Sequence, residues 1–244
     1  MGSFHGQNAV VTGAGSGIGR AIALGLASRG ANLALVGRRQ SALEAVASQA
    51  GSQHGIIRCY EADLSVDKDL ESLTARLKSD LREIGVLVHS AGVIALGHQI
   101  SASKDDLDWQ YRVNLRAPYI LTQALLPGLQ RHQGQVVFIN SSAGLLARAN
   151  VGQYAATKHG LKALADSLRD EVNSLGVRVL SLFLGRTASP MQEHLHHLSG
   201  SPYNPELLLQ PEDIAGVVLN ALEVARTAEV TDISIRPMIT PASS

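Results

Sequence analysis

The 244-residue chain has few of the residues that define several common kinds of protein. It contains one cysteine, Cys59, and only 4% aromatic residues. A single thiol excludes an internal disulfide framework and a zinc site built from several cysteines. No apolar run approaches the roughly 20 residues that span a bilayer, and the start, "MGSFHGQNAVV", lacks the charged leader and apolar core of a signal peptide. These features predict a cytoplasmic protein.

The chain also lacks an excess of charge of either sign. Its 21 lysines and arginines equal its 21 aspartates and glutamates. Without a global basic field we expect neither nucleic acid nor a membrane surface as a partner, and an anionic ligand must be held by local groups. A small molecule is therefore the expected substrate.

Strand-like and helix-like segments alternate along the whole chain. Seven short apolar or β-branched runs are separated by helical patterns, the clearest at 17–29, 41–50, 66–83, 107–130, 153–175 and 211–225. Strands that are apolar on both faces and joined by helices predict an α/β domain with a mostly parallel, doubly wound, seven-stranded sheet. The region 188–210, rich in Ser, Gly, Pro and His, is predicted to be an irregular, mobile connection that closes over the substrate as a lid.

A glycine-rich turn follows the first strand-like run, in "VVTGAGSGIGRAIALGLASRGA". Because glycine has no Cβ, it allows backbone N–H groups to approach a phosphate at the start of a helix. Such a turn alone could also be a tight connection or the cofactor loop of a methyltransferase. The residues predicted to bind a pyrophosphate are Gly13, Gly15, Ser16, Gly17, Ile18 and Gly19.

The end of the second strand-like run carries two arginines. An acid at this point would bind ribose hydroxyls and favour NAD(H), but the sequence reads "LVGRRQ", with Arg38 and Arg39. Guanidinium groups suit a 2′-phosphate, so the pair predicts a preference for NADP(H) over NAD(H). A solvated basic pair at a helix start is the alternative interpretation.

Together these motifs resemble those of the short-chain dehydrogenases/reductases. "TGAGSGIG" matches the family's TGxxxGxG pattern, "YAATK" matches YxxxK, and a serine precedes the tyrosine at the expected distance. The resemblance covers essentially the whole chain, from Ala9 to the last strand. It implies a Rossmann-like single domain over 1–244, a carbonyl reductase that moves a hydride between the nicotinamide and a carbonyl or secondary alcohol, and a homodimer or homotetramer.

The resemblance also implies roles for individual residues. Tyr154 would be the general acid/base, Lys158 its activator and a ribose ligand, and Ser141 the hydroxyl that holds the substrate oxygen. Asn114, in "RVNLRAPY", would support a water relay to the lysine, and Asp63, in "EADLS", would contact the adenine ring. The other implied cofactor-binding residues are Leu64, Ala91, Gly92, Gly185 and Thr187.

The spacing of "YAATK" has a direct physical interpretation. Residues i and i+4 share one face of a helix, so the Lys158 ammonium is expected near the Tyr154 phenol. A nearby cation favours the phenolate and predicts a lowered pKa for Tyr154. A phenol that exchanges its proton near neutral pH can act as a general acid/base, and the Ser141 hydroxyl can stabilise charge that grows on the substrate oxygen.

Three places depart from the family pattern. NNAG is replaced by "HSAG", from His89 to Gly92; the PG turn is replaced by "LGRT", from Leu184 to Thr187; and "VTDISIRPM", the last strand-like run and the residues after it, lacks the glycine-rich ending of many longer family members. The first two departures keep open a second hypothesis, a cofactor-binding regulatory or scaffold protein without turnover. A methyltransferase is a third, although it gives the Arg38–Arg39 pair and the YxxxK helix no role.

Apolar residues around these motifs predict a mainly aliphatic pocket. The expected walls are Val93, Ile94, Leu145, Leu146 and Leu184, and the expected lid residues are Met191, Leu195 and Leu198. The histidines of "EHLHHL", His194, His196 and His197, are interpreted as solvated or substrate-facing. No metal is predicted, because helical spacing does not converge all three on one ion.

Overall fold

Seven parallel strands form one sheet at the centre of the computed structural model, which describes residues 2–51 and 55–239. The strands are β1 (Asn8–Thr12), β2 (Asn32–Gly37), β3 (Ile57–Glu61), β4 (Val86–His89), β5 (Gln135–Ser141), β6 (Arg178–Leu184) and β7 (Asp232–Ile235). Their spatial order is β3-β2-β1-β4-β5-β6-β7. The order reverses between β1 and β4, which leaves a crevice at their carboxyl ends. The predicted Rossmann-like, doubly wound fold is confirmed.

Eight α-helices in the described part of the chain cover the two faces of the sheet. They are α1 (Gly17–Ser28), α2 (Gln40–Ala50), α3 (Asp67–Asp80), α4 (Lys104–Tyr111), α5 (Ala117–His132), α6 (Gly152–Val172), α7 (Pro190–Ser199) and α8 (Pro211–Leu222). Neighbouring strand residues point to opposite faces, so Val11 packs with α1 and α8 while Val10 packs with α3 and α5. None of these helices is long and apolar enough to cross a membrane.

The helix predicted at 107–130 is longer in the structure, and a π-helical turn interrupts it. It begins after Ser103, whose hydroxyl accepts a hydrogen bond from the Asp105 N–H, and runs through α4 into the π turn Arg112–Arg116 and then α5. A π turn holds more residues than an α turn, so it changes which side chains face inward. The other predicted helices differ from the structure by only a few residues at their ends.

The prediction that 188–210 is irregular is wrong in part. The segment contains α7 and a 3₁₀ turn, Pro205–Leu207. The Ser189 side chain caps α7 by accepting from the Gln192 N–H, Pro190 occupies the first turn, and Gly200 ends the helix at φ +65°. The Ser, Pro and Gly that resemble breaker residues in the sequence are thus the caps of a short helix.

Candidate active site

A cavity of about 470 Å³ opens at the carboxyl edge of the sheet, where the strand order reverses. It is lined by every residue predicted for the pyrophosphate and adenosine side of the cofactor. These are Gly13, Gly15, Ser16, Gly17, Ile18, Gly19, Arg38, Arg39, Asp63, Leu64, Ala91 and Gly92. Residues from four separate chain segments therefore meet around one cavity.

The glycine turn is packed too closely for side chains. Gly13 has φ +67°, and a Cβ there would lie 2.8 Å from the Ala91 nitrogen. A Cβ at Gly19 would lie 2.4 Å from the Gly13 carbonyl oxygen. Ser16 precedes α1 but makes no side-chain capping bond, so the first N–H groups of the helix remain for a ligand. The turn fits an anion such as a pyrophosphate.

Arg38 and Arg39 extend from the end of β2 into the wall of the same cavity. Both are exposed, and neither forms an ion pair within residues 2–51 and 55–239. On the neighbouring β3 loop, Asp63 accepts hydrogen bonds from the Ser65 N–H and hydroxyl at 2.9 and 2.7 Å. The Asp63 loop and the two exposed guanidinium groups bound this end of the cavity.

The segment after β4 is held by Thr12 of β1. The Thr12 hydroxyl oxygen accepts the N–H groups of Ser90 and Ala91, both at 3.1 Å. These two bonds fix the turn that presents Ser90, Ala91 and Gly92 to the cavity. The serine that replaces the family's asparagine therefore leaves the backbone of this turn in place.

His89 points into the protein and away from the cavity. Its ring stacks on Phe138 with centroids 5.0 Å apart, and Nε2 lies 2.8 Å from the Thr122 hydroxyl. Nδ1 is buried without a hydrogen-bond partner among the described residues. Burial lowers the pKa of His89 to about 3, which keeps the ring neutral. The first residue of "HSAG" is thus part of the core.

The predicted catalytic side chains meet at the end of β5. Tyr154 and Lys158 lie on α6, and the Lys158 Nζ is 5.7 Å from the centre of the tyrosine ring. The Nζ also donates to the Ile139 carbonyl at 3.1 Å. Ser141 accepts the Ala143 N–H through its hydroxyl oxygen at 3.1 Å, which leaves the hydroxyl hydrogen to be donated elsewhere.

Burial controls the ionisation of this cluster. It raises the pKa of Tyr154, while a hydrogen bond with Ser141 acts in the opposite direction. It also lowers the pKa of Lys158 to about 8. The expectation of a lowered pKa for Tyr154 is wrong in this structure, because burial, which disfavours the phenolate, is the largest effect on it.

Asn114 joins the cavity to the catalytic side chains. It lies in the π turn, where its Oδ1 accepts the Val93 N–H and its Nδ2 donates to the Val93 carbonyl, both at 2.8 Å. Nδ2 also donates to the Thr157 hydroxyl at 3.1 Å. A Cβ on Gly92 would lie 3.6 Å from the Asn114 Oδ1 and 3.8 Å from the Lys158 Nζ. Gly92 therefore connects the cavity with the Tyr154 cluster.

Several predicted residues lie outside the cavity wall. Gly185 and Thr187 follow β6, where the buried Thr187 hydroxyl donates to the Gly185 carbonyl at 3.1 Å. Leu184 was expected in the pocket but belongs to the core, because its side chain faces α1 and α8. The four residues predicted to be catalytic and two more of the leucines expected in the pocket also lie outside the cavity wall: Asn114, Ser141, Tyr154, Lys158, Leu145 and Leu146.

The rest of the cavity wall contains some residues that the sequence predicted and others that it did not. Val93, Ile94 and Met191 are in its wall, whereas Leu195 and Leu198 are not. Sequence reasoning missed the following wall residues: Gly37, Ala42, Leu43, Ala62, Ser90, Trp109, Val113, Ser189 and Pro190. Their only sequence signal is closeness to the motifs, because strand ends, loops and helices from different parts of the chain reach the cavity through tertiary packing.

The three histidines of α7 have different surroundings. His194 lines the cavity, whereas the His196 Nδ1 lies 2.8 Å from the Gln192 carbonyl and its ring meets Tyr203 edge to face at 5.4 Å. No group of three His, Cys, Asp or Glu residues in the described ranges is arranged to hold a metal ion.

Comparisons with known proteins agree with this architecture. The family model for the short chain dehydrogenases matches residues 7–198. An uncharacterized short-chain type dehydrogenase/reductase of Sinorhizobium fredii is 33% identical over 234 residues, which cover 94% of this chain and 90% of that protein.

Two solved structures with bound NADP are similar in both sequence and shape. A metagenomic short-chain oxidoreductase in complex with NADP is 30% identical with a TM-score of 0.82, over 98% of this chain and 100% of that one. A putative NAD(P) dependent gluconate 5-dehydrogenase from Beutenbergia cavernae, with bound NADP, is 29% identical with a TM-score of 0.83, over 95% and 96% of the two chains.

Proposed function

The chain belongs to the short-chain dehydrogenase/reductase family, and from this premise we propose that it is an NADP(H)-dependent carbonyl reductase with Tyr154 as its general acid. The observation that carries the proposal is the cluster of Tyr154, Lys158, Ser141 and Asn114, which meets a cofactor-sized cavity at Gly92. Family membership makes the protein an oxidoreductase. The cofactor preference and the residue roles are the further step.

The residues around the cavity fit a dinucleotide with a 2′-phosphate. The bare glycine turn and the uncapped start of α1 suit a pyrophosphate, and the two exposed arginines at the end of β2 suit the extra phosphate. Asp63, which lines the same cavity, would contact the adenine. The NADP bound to both similar structures supports this preference.

The roles follow from the charges that develop during reduction. When bound, NADPH supplies a hydride to the carbonyl carbon. The Tyr154 hydroxyl donates its proton to the carbonyl oxygen, and its raised pKa keeps that proton in place until it is needed. The Ser141 oxygen accepts the Ala143 N–H, so this hydroxyl can donate its hydrogen to the substrate oxygen as that oxygen becomes negative.

Lys158 stabilises the phenolate that remains after proton transfer. Its pKa of about 8 leaves most of the side chain charged at neutral pH, and the Ile139 carbonyl holds the Nζ in place. Asn114 holds Val93 beside Gly92 through two hydrogen bonds. These bonds fix the distance between this wall of the cavity and the Lys158 Nζ.

We further propose that 188–210 is a lid over the cavity. A Cβ on Gly17 would lie 3.5 Å from the Ser189 Cβ, so the start of α7 rests on the glycine turn. Met191 and His194, from the first turns of α7, face the same cavity. A helix in this position would limit the escape of a bound cofactor and exclude water.

A homodimer or homotetramer is the proposed assembly, formed through the faces of α4, α5 and α6. Leu107, Tyr111 and Tyr119 expose 39, 46 and 51% of their surface on these helices. Exposed aromatic and aliphatic side chains on one face are typical of an interface. With one cysteine the chain suits a reducing compartment, and we propose a cytoplasmic location.

The rival hypotheses lose support from the structure and the family. The departure at His89, which favoured binding without turnover, lies in the core, and Thr12 still holds the following turn. Membership in an oxidoreductase family excludes the methyltransferase.

The proposal is tested by the loss of NADPH absorbance at neutral pH with a panel of ketones, aldehydes and 3-oxoacyl thioesters. Tyr154→Phe is the matched control because it removes only the hydroxyl. We expect this variant to lose about 10²- to 10⁴-fold in kcat while NADPH binding stays within a few fold. Full activity of Tyr154→Phe would contradict the mechanism. No turnover by the wild-type protein, with tight NADPH binding, would favour the binding-only function.

A further inference from the structure

Gln110 is a fully buried amide one helical turn before Asn114. Its exposure is 0%, although long polar side chains are seldom buried unless their polar atoms are all bonded. The Oε1 accepts the Ala95 N–H at 3.1 Å. The Nε2 donates to the Asp106 carbonyl at 3.1 Å and to the Gln153 Oε1 at 3.2 Å. The amide therefore uses both donors and its acceptor.

Asn114 repeats this arrangement one turn later. Gln110 binds Ala95, and Asn114 binds the N–H and carbonyl of Val93, so two amides from one helix hold alternate residues of a single segment. That segment, Val93–Ala95, follows β4, and its first two residues line the cavity. We call Gln110, Asn114 and the groups they bind on this segment and on α6 the amide ladder.

On α6 the ladder ends on both sides of Tyr154. Gln110 donates to Gln153, the residue before the tyrosine, and Asn114 donates to Thr157, one turn beyond Gln153. The Thr157 hydroxyl donates to the Tyr154 carbonyl at 2.8 Å. Gln153 is fixed in turn, because its Nε2 donates to the Ser103 carbonyl at 2.8 Å.

We propose that Gln110 is a positioning residue for the reaction. It sets the distance between the Val93–Ala95 wall of the cavity and the Tyr154 hydroxyl, and it is not itself in the cavity wall. The inference rests on the proposed function, because the distance matters only if Tyr154 transfers a proton. A displacement of about 1 Å between reacting groups can cost roughly 100-fold in rate.

The test compares Gln110→Leu, Gln153→Leu and the double variant, with Gln130→Leu on α5 as the matched control outside the ladder. Leucine keeps a similar volume and removes every hydrogen bond of the amide. We expect each ladder variant to lower kcat by roughly tenfold or more, with the Kd for NADPH within a few fold of wild type. The double variant should lose less than the product of the two single losses, because both single variants remove the bond between Gln110 and Gln153.

A merely structural role gives a different pattern. It would lower Tm and weaken NADPH binding together with kcat, and the two single losses would multiply. Gln153 is only partly buried, so Gln153→Leu decides the question if Gln110→Leu fails to fold. Full kcat in either single variant would overturn the inference.

Hydrogen exchange supplies a readout that needs no substrate. In Gln110→Leu the Ala95 amide should exchange at least tenfold faster, while the Val93 amide, which Asn114 holds, changes less. Unchanged Ala95 exchange would overturn the inference even in an active enzyme. Wild-type protein that reduces no carbonyl, with faster Ala95 exchange in the variant, would instead show that the ladder exists and that the proposed function is wrong.

Discussion

At the scale of single residues, burial gives Tyr154 and Lys158 their chemical character. It raises the pKa of the phenol and lowers that of the amine to about 8, so both groups shift toward their neutral forms. A protonated phenol beside the Ser141 hydroxyl is the form that a reductase needs when a carbonyl oxygen takes up a proton. The resting site is therefore prepared for reduction.

Arg38→Asp should change the cofactor preference. Replacing a guanidinium by a carboxylate at the end of β2 removes an attraction for the 2′-phosphate and adds a repulsion, so the KM for NADPH should rise roughly tenfold or more while that for NADH does not. Steady-state kinetics with both cofactors measures the change. Arg58→Asp, an equal charge reversal at an exposed position on β3, is the control. An unchanged KM for NADPH in Arg38→Asp would place the phosphate elsewhere.

His89 should make the protein less stable in mild acid. Its pKa is 6.5 in the unfolded chain and about 3 in the folded protein, so below pH 6.5 the unfolded state binds the additional proton. The stability that the neutral ring provides is present above pH 6.5 and is lost as the pH falls toward 3. Between pH 7 and 5 the loss should be about 2 kcal/mol.

Urea unfolding of wild type and His89→Asn measures this effect. Every other ionisable group is the same in the two proteins, so the difference between their pH profiles isolates His89. Wild type should lose more free energy of unfolding than the variant on going from pH 7 to 5. Parallel profiles would mean that His89 is not held neutral in the folded protein.

Residues within a motif could be predicted from the sequence, and residues that act through tertiary contacts could not. The glycines, Arg38 and Asp63 line the cavity as expected. Gln110 looks like a surface residue of "DWQY", because its burial depends on a segment 15 residues earlier that packs over it. The departure at His89 kept open the hypothesis of binding without turnover, but its side chain enters the core.

At the scale of elements, the π turn shows the limit of periodicity. The apolar pattern of 107–130 predicts one regular helix, and one extra residue per turn is too small a change to detect in such a pattern. The turn nevertheless directs Asn114 toward α6 while Tyr111 and Tyr119 remain exposed. In α7 the error was of another kind, because helix caps and loop breakers are the same residue types.

The contact between α1 and the glycine turn gives a test at this scale. In Gly19→Ala the new Cβ would meet the Gly13 carbonyl, which is backbone and cannot rotate away. We expect a loss of about 1–3 kcal/mol in the free energy of unfolding and at least a roughly tenfold weaker Kd for NADPH. Urea unfolding and a binding titration measure the two effects.

Gly216→Ala in α8 is the control for Gly19→Ala. Apart from its chain neighbours and the backbone of its own helix, no atom of the described residues lies within 4 Å of the position that its Cβ would occupy, so the same substitution should stabilise the helix by about 0.5–1 kcal/mol. Equal changes in the free energy of unfolding and in the Kd for NADPH in the two variants would contradict the role of close packing between Gly19 and Gly13.

At the scale of the whole molecule, the alternation of strands and helices was the best predicted feature. Because the strands are apolar on both faces, they fit a parallel sheet that helices cover on both sides. Right-handed crossovers then limit the possible strand orders. The site is less local, because its residues come from β1, β4, β5, the α4–α5 helix and α6. Motifs indicate which residues take part, and the fold determines their distances.

The proposed assembly makes its own prediction. Tyr119→Asp places a charge on an exposed aromatic position of α5, and it should shift the protein toward monomer because burying an unpaired charge is costly. Sedimentation velocity measures the shift. Ile56→Asp, at a position that is 57% exposed before β3, is the control and should leave the assembly unchanged. A wild-type monomer at tens of micromolar would contradict the assembly.

Transfer of deuterium from NADPH that carries deuterium at both hydrogen positions of nicotinamide C4 tests the central claim most directly. Wild-type protein and Tyr154→Phe would each be incubated with labelled NADPH and the best carbonyl of the panel, and the alcohol analysed by mass spectrometry. Wild-type protein should form alcohol with one deuterium on its carbinol carbon, and the variant should form almost no labelled alcohol in the same time, although both proteins bind NADPH. Equal labelling by the two proteins would contradict the role of Tyr154, and unlabelled product from wild type would contradict hydride transfer itself.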